Sequence, residues 1–338
     1  MSEESKDTEA LTSSKRKVFF GLFVFPMLIA VTMAILLSGV VLLTHEEDTP
    51  ESLITAIKTG APSKRWQKAF ELSNELNREG GMLRSAGIMN EVIHILNDKE
   101  HYDAKTRAYM AMALGRFQGP EAELALEKAL DETSGDEDPK FVLFLMWAVG
   151  NFQNPESSSS VARFLTSQHD DLRKTAAYVL GALYGTRYIT GQVHTGNTEP
   201  VPAVPGTVVV VNQLKRALED SVIDVRWNAA LSLARLGNDS GARVLLQMLD
   251  RNQLREVQQL NELEIERVMV NAARGFGLIK RSEVRQAKPV ETDDSSVRRT
   301  AVEAQPILER IGKTDPSLKV REAALNAIAD NEDQNEHD

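Results

Sequence analysis

The chain has 338 residues, a formal net charge of −10 and no cysteine. An acidic protein offers no electrostatic footprint for nucleic acid, and a chain without cysteine has no disulfide framework, no thiolate metal site and no thiol nucleophile. Residues 1–17 balance basic against acidic groups, so the excess negative charge belongs to residues 18–338.

Residues 1–17 read as a polar tail with too little apolar content to fold. The run Val18–Thr44 then holds no charged side chain. As a helix it extends about 40 Å, more than the roughly 30 Å hydrocarbon core of a bilayer. It is too long for the apolar region of a signal peptide, and Leu42-Leu43-Thr44-His45 offers no small-x-small cleavage site. The run therefore predicts an uncleaved, single-pass transmembrane helix over 18–44, with Pro26 tolerated inside it. Lys15, Arg16 and Lys17 precede the run and His45-Glu46-Glu47-Asp48 come after it. That asymmetry puts the N-terminus in the cytoplasm and the rest outside it, in the periplasm if the cell is bacterial.

Residues 45–330 carry a repeat. An arginine is followed by small or apolar residues at +3, +4, +6 and +7, often with glycine at +8. Arg107 precedes Met110, Ala111, Ala113, Leu114 and Gly115; Arg173 precedes Ala176, Ala177, Val179, Leu180 and Gly181. Arg226 precedes Ala229, Ala230 and Leu233; Arg267 precedes Val270, Ala273 and Gly275; Arg321 precedes Ala324, Leu325, Ala327 and Ile328. Weaker copies start at Arg65 and Arg298, and one has Val142 in the arginine's place. Most spacings are about 31–42 residues, the length of a helical hairpin repeat. Positions +3, +4 and +7 share one helix face, where small side chains let a neighbour approach closely.

Between anchors lie second amphipathic segments: Ser85–Leu96, Glu121–Leu130, Ser157–Leu165 and Ala242–Leu249. Turns are expected at Gly119-Pro120, at Asn154-Pro155 and over residues 238–241. Asp220 and Asp315, six residues before their arginines, fit N-cap positions. One hairpin cannot bury both its faces, so the hairpins should stack on a continuous core.

The stretch from Asp220 through Asp224-Val-Arg226-Trp-Asn-Ala-Ala-Leu-Ser-Leu-Ala234 resembles a HEAT repeat, of the short kind found in phycobilisome bilin lyases, and Asp315 through Ile328 is similar. The resemblance implies an all-α, right-handed α-solenoid of HEAT-like hairpins over about residues 51–330, following the transmembrane helix. It also implies that Arg107, Arg173, Arg226, Arg267 and Arg321 make structural contacts between repeats, with an interruption at Val142. It says little of function, since the repeat is a scaffold in unrelated proteins.

Two places break the period. Residues 185–207 hold several glycines and prolines, which exclude a continuous helix. They form an inserted loop whose Arg187, Tyr188, Ile189 and His194 are candidates for partner binding; a passive surface insertion is the competing reading. The second break, Lys280–Ser296, allows only a weak helix. Residues 331–338 read as a disordered tail.

Chemistry is scarce. No two histidines stand at metal-ligand spacing, and Asp131–Asp138 lacks the spacing of a calcium loop. The di-iron deoxyhypusine hydroxylases carry His-Glu pairs on HEAT-like repeats, but here the one His-Glu dipeptide is His45-Glu46, outside the repeats. No hydrolase, nucleotide or dinucleotide motif appears. His94 is expected to be a partly buried packing residue, and Trp66, Trp147 and Trp227 core or inter-repeat packing, with a shared aromatic surface as the minority reading. The expectation is a membrane-tethered scaffold for protein–protein interaction, not an enzyme, with no metal or cofactor and no nucleic acid. The alternative is an accessory factor of an enzyme, resembling the bilin lyase subunits.

Overall fold

The computed structural model describes residues 23–44, 49–77, 86–117, 119–133, 138–184, 207–285 and 295–329, and among these there is no strand. The chain divides into two compact units, Met1–Ser52 and Leu53–Asp338.

In the first unit, α1 spans Phe25–Thr44 and contains no acidic residue in its first turn and no basic one in its last. Pro26 falls in the first turn, where its missing N–H would have no helical partner anyway. Thr32 Oγ1 donates to the Leu28 carbonyl at 2.7 Å, so that hydroxyl is satisfied within the helix. The side chains of α1 are described only as far as Gly39. Over residues described in full, no helix is long and apolar enough to cross a membrane.

The helix α2 (Pro50–Thr59) begins at the end of the first unit, and in the second unit come α3 (Pro62–Asn77), α4 (Ala86–Asn97), α5 (Ala104–Leu114), α6 (Pro120–Asp131), α7 (Pro139–Gly150), α8 (Ser158–Ala162) and α9 (Asp170–Leu183). After the inserted segment come α10 (Thr207–Ala217), α11 (Ile223–Arg235), α12 (Ala242–Met248), α13 (Arg251–Glu256), α14 (Glu262–Arg285), α15 (Ser295–Thr314) and α16 (Leu318–Ile328). Hairpins form from α4 with α5, α6 with α7, α8 with α9, α10 with α11, α12 with α14, and α15 with α16. The second helices, α3, α5, α7, α9, α11, α14 and α16, pack side by side in one layer. The first helices make the other layer, in which α4, α6, α8 and α10 succeed one another. The result is an all-helical, solenoid-like stack.

Burial tracks the repeat. Ala111, Leu114, Ala148, Val149, Ala177 and Leu180 are fully enclosed, and each buried leucine contributes about 1.5–3 kcal/mol. The core changes hands at α11: Ala229 and Leu233 pack toward the N-terminal hairpins, Ala230 and Ala234 toward the C-terminal ones. The +8 glycines have a steric cause. A β-carbon on Gly115 would stand 3.0 Å from Ala148 Cα, and one on Gly181 only 2.6 Å from Ser232 Cβ. Ser232 uses that closeness, donating its buried hydroxyl to the Ala177 carbonyl at 2.6 Å.

Several expectations need correcting. Ser157–Leu165 is not one helix but α8 flanked by 3₁₀ turns at Pro155–Ser157 and Arg163–Thr166, as its run of weak helix-forming serines allows. Within Lys280–Ser296 the chain is helical through Arg285, because α14 is unusually long, and helical again from Ser295, while residues 286–294 lie outside the described ones. Arg298 lies on α15, the first helix of the last hairpin, and so starts no repeat of its own. The caps sit later than expected: Val222 and Ser317 occupy the N-cap positions. Asp220 and Asp315 accept instead from the backbone N–H groups of Val222 and Ser317 in turns just before them.

Candidate functional site

The repeat arginines point mostly into turns. Arg226 Nη1 donates to the Asp220 and Ser221 carbonyls at 2.7 and 3.0 Å, and Arg321 Nη1 to the Asp315 carbonyl at 2.7 Å. Arg173 Nη1 does the same to Ser167 at 2.9 Å. Its other nitrogens cross to the next hairpin, where Nε and Nη2 donate to the two oxygens of Asp220 at 2.8 and 3.2 Å. Arg107 is buried, donating through Nε to the Leu96 carbonyl at 2.8 Å with its guanidinium 4.3 Å from the centre of the Phe141 ring. Val142, in the arginine's place on α7, is buried. Arg267 is exposed and makes no such bridge among the described residues. Arg251 on α13 stands in for it, holding Asp315 through Nε and Nη2 at 3.1 and 2.8 Å. No periodicity announced Arg251, because α13 is an extra turn of helix inside its hairpin.

On α14 the register is shifted, so that Met269, Ala272 and Phe276, at +2, +5 and +9 from Arg267, are buried. On the second helices as far as α11, however, positions +1, +2, +5 and +9 lie opposite the packed face, at about 100° per residue. The residues there are large and aromatic in the N-terminal half of the stack. Phe70 on α3, Trp147 on α7 and Tyr178 on α9, all at +5, are 44%, 49% and 44% exposed. Tyr109 and Phe144, both at +2, are half-buried between them. The Phe70 and Tyr109 rings meet edge to face at 5.3 Å, and Tyr109 and Phe144 lie 5.8 Å apart. Cations flank the rings: Lys105 Nζ sits 3.1 Å above the Trp66 ring and the Arg235 guanidinium 5.1 Å from that of Tyr178. Trp147 is thus a surface residue and not core, while Trp66 and Trp227 are half-buried. His94 is exposed as well.

An aromatic stripe shared by four neighbouring helices is more than the scattered apolar exposure of an ordinary surface, and rings and guanidinium groups are the residue types enriched where proteins bind one another. In the sequence a shared aromatic surface is only the minority reading of the three tryptophans; the +2 and +5 positions would have added Phe70, Tyr109, Phe144 and Tyr178 to it.

Arg187, Tyr188, Ile189 and His194, with the whole of 185–206, lie outside the described residues. Among the described residues no group of histidine, aspartate and glutamate could hold a metal ion.

Residues 90–181, spanning most of α4 through α9, match the HEAT-repeat family. No curated protein matches the chain. Among solved structures it is similar to the complex of CpcE and CpcF of phycocyanin lyase from Nostoc sp., at 16% identity over 84% of this chain and 95% of that one, with a TM-score of 0.48. A designed armadillo repeat protein aligns at 15% identity over 83% and 98% of the two chains, TM-score 0.39. Human deoxyhypusine hydroxylase in complex with glycerol aligns at 18% identity over 82% and 94%, TM-score 0.34. Likenesses this remote carry no information on what the chain binds.

Proposed function

We propose that this chain is a membrane-tethered, non-catalytic scaffold whose aromatic face docks a segment of a partner protein. The exposed stripe Phe70–Tyr109–Phe144–Trp147–Tyr178 carries the reading. Its rings supply rigid apolar area at low entropic cost, and the flanking Lys105 and Arg235 favour a segment that also bears acidic groups.

The tether rests on the uncharged run Val18–Thr44. In such a span the exposed side chains of Phe25, Met27, Leu28 and Leu36 on α1 contact lipid. With Lys15-Arg16-Lys17 on the cytoplasmic side, the hairpins face away from the cytoplasm. Protease added outside spheroplasts should then digest the hairpins and spare an N-terminal fragment; survival of the hairpins would refute this topology.

A second reading uses the same face. Rings in a row could stack on a planar tetrapyrrole, as an accessory factor resembling the bilin lyase subunits would need. Titration of the intact protein with a free bilin separates the two: a red-shifted, saturable absorbance change lost on Trp147→Ala supports the accessory factor, and an unchanged spectrum supports the scaffold.

A further inference from the structure

The C-terminal part of the same layer has the opposite character. Arg267, Arg274 and Arg281 recur every seventh residue along α14, a straight stripe in which successive residues stand about 10 Å apart. Between α14 and α16 runs a groove of about 220 Å³, with Gly277, Ala323 and Ala327 in its floor and Arg274, Arg281, Lys319 and Glu322 around it. Its floor is low because the helices nearly touch: a β-carbon on Gly277 would stand 3.3 Å from Ala327 Cα. Lys319 is already committed to Glu266, at 2.8 Å. Among the described residues, Arg267, Arg274 and Arg281 form no salt bridge, and Glu322 is the one carboxylate lining the groove. A row of three guanidinium groups in an acidic protein calls for a chain of anions.

We infer that the occupant is this chain's own acidic segment, residues 330–338, laid back along the groove over the α14 arginines. Those residues, which lie outside the described ones, contain Asp330, Glu332, Asp333, Glu336 and Asp338 and no basic side chain other than His337. They come directly after Ala329, at the end of the helix that forms one wall. Lys280 Nζ pins that end to α14 by donating to the Ile328 carbonyl at 2.7 Å, so the acidic segment sets out beside Arg281. From Arg281 back to Arg267 is about 21 Å of helix, and nine extended residues reach about 30 Å. Tethering gives the segment an effective concentration in the millimolar range, enough to hold a contact that is weak between separate molecules. Arginines about 10 Å apart stand against about every third residue of an extended strand, the spacing of Asp330, Asp333 and Glu336. The contact would cover the cationic part of the second-helix layer and leave the aromatic part open, so it stands apart from docking on the aromatic stripe.

The test compares the full-length protein with a full-length variant whose segment is neutralised by Asp330→Asn, Glu332→Gln, Asp333→Asn, Glu336→Gln and Asp338→Asn. The probe is a fluorescently labelled peptide of residues 330–338, followed by anisotropy at low salt. The peptide should bind the neutralised chain at least tenfold more tightly than the wild type, whose own segment competes. Adding Arg274→Gln and Arg281→Gln should abolish that binding while circular dichroism and the thermal midpoint stay unchanged. Equal affinity for both chains would overturn the inference and leave the groove to acidic segments of other molecules, a second copy included. Binding that survives the arginine substitutions, or no binding to either chain, would overturn it as well.

Discussion

Arg173 holds the carboxylate of Asp220 across the boundary between two hairpins, Nε 2.8 Å from one oxygen and Nη2 3.2 Å from the other, and both side chains are mostly enclosed. Asp220 is in turn fixed by the Val222 N–H at 2.8 Å, and its carbonyl receives Arg226. One aspartate thus links the arginine of its own repeat with that of the preceding one. It also spans the inserted segment, tying α9 to the turn before α11. Arg251 and Asp315 repeat the arrangement farther along.

Breaking that pair should loosen the stack where the chain is interrupted. Asp220→Asn should cost about 1–3 kcal/mol in urea unfolding, since it removes charge-assisted hydrogen bonds and leaves an enclosed guanidinium short of an acceptor. A double-mutant cycle with Arg173→Gln should show a coupling of about 1 kcal/mol or more. Additive losses would mean the two side chains act independently.

The same carboxylate sets part of the acid response. The Arg173 guanidinium holds the Asp220 carboxyl below its ordinary value of 3.8, helped by the Val222 N–H against the opposing effect of burial. Hydrogen bonding to Asp220 raises Arg173, which stays charged throughout. Because the folded state then binds fewer protons than the unfolded one, the contribution is complete above about pH 5 and is lost as pH falls through 3.8 toward the folded value. Asp220→Asn should therefore flatten part of the fall in unfolding midpoint between about pH 5 and 3. Asp98, Asp171 and Glu266, also lowered by their partners, should keep the rest.

Close approach of α9 and α11 should be equally sensitive. Gly181→Ala puts a methyl 2.6 Å from Ser232 Cβ and 2.8 Å from its Cα, so backbone must move and the Ser232–Ala177 hydrogen bond is strained. A loss of about 1–3 kcal/mol is expected. Gly119→Ala, whose new methyl meets only the end of the Glu121 side chain at 3.3 Å, serves as the comparison and should cost less.

How far the sequence could be read depended on what repeats. Small residues at +3, +4 and +7 marked the second helices, because close packing imposes the same demand on each. The +8 glycines marked where one helix nearly touches the next. Arg251 was hidden because it comes from an additional helix, α13, that has no counterpart in the other hairpins. Arg298 misled because α15 presents a similar pattern from the opposite layer. The aromatic stripe was present in plain sight, but tryptophan reads as core until the neighbouring helices show that its position faces out.

The docking claim is tested most directly by a photo-crosslinking amino acid placed, one site at a time, in the full-length protein within its native membranes. Trp147 and Tyr178 report on the aromatic face, exposed Leu124 on α6 reports on the opposite layer, and Tyr188 on the inserted segment. The account predicts a discrete protein adduct from positions 147 and 178 and none from 124. An adduct from 124 or 188 with none from 147 and 178 would contradict it.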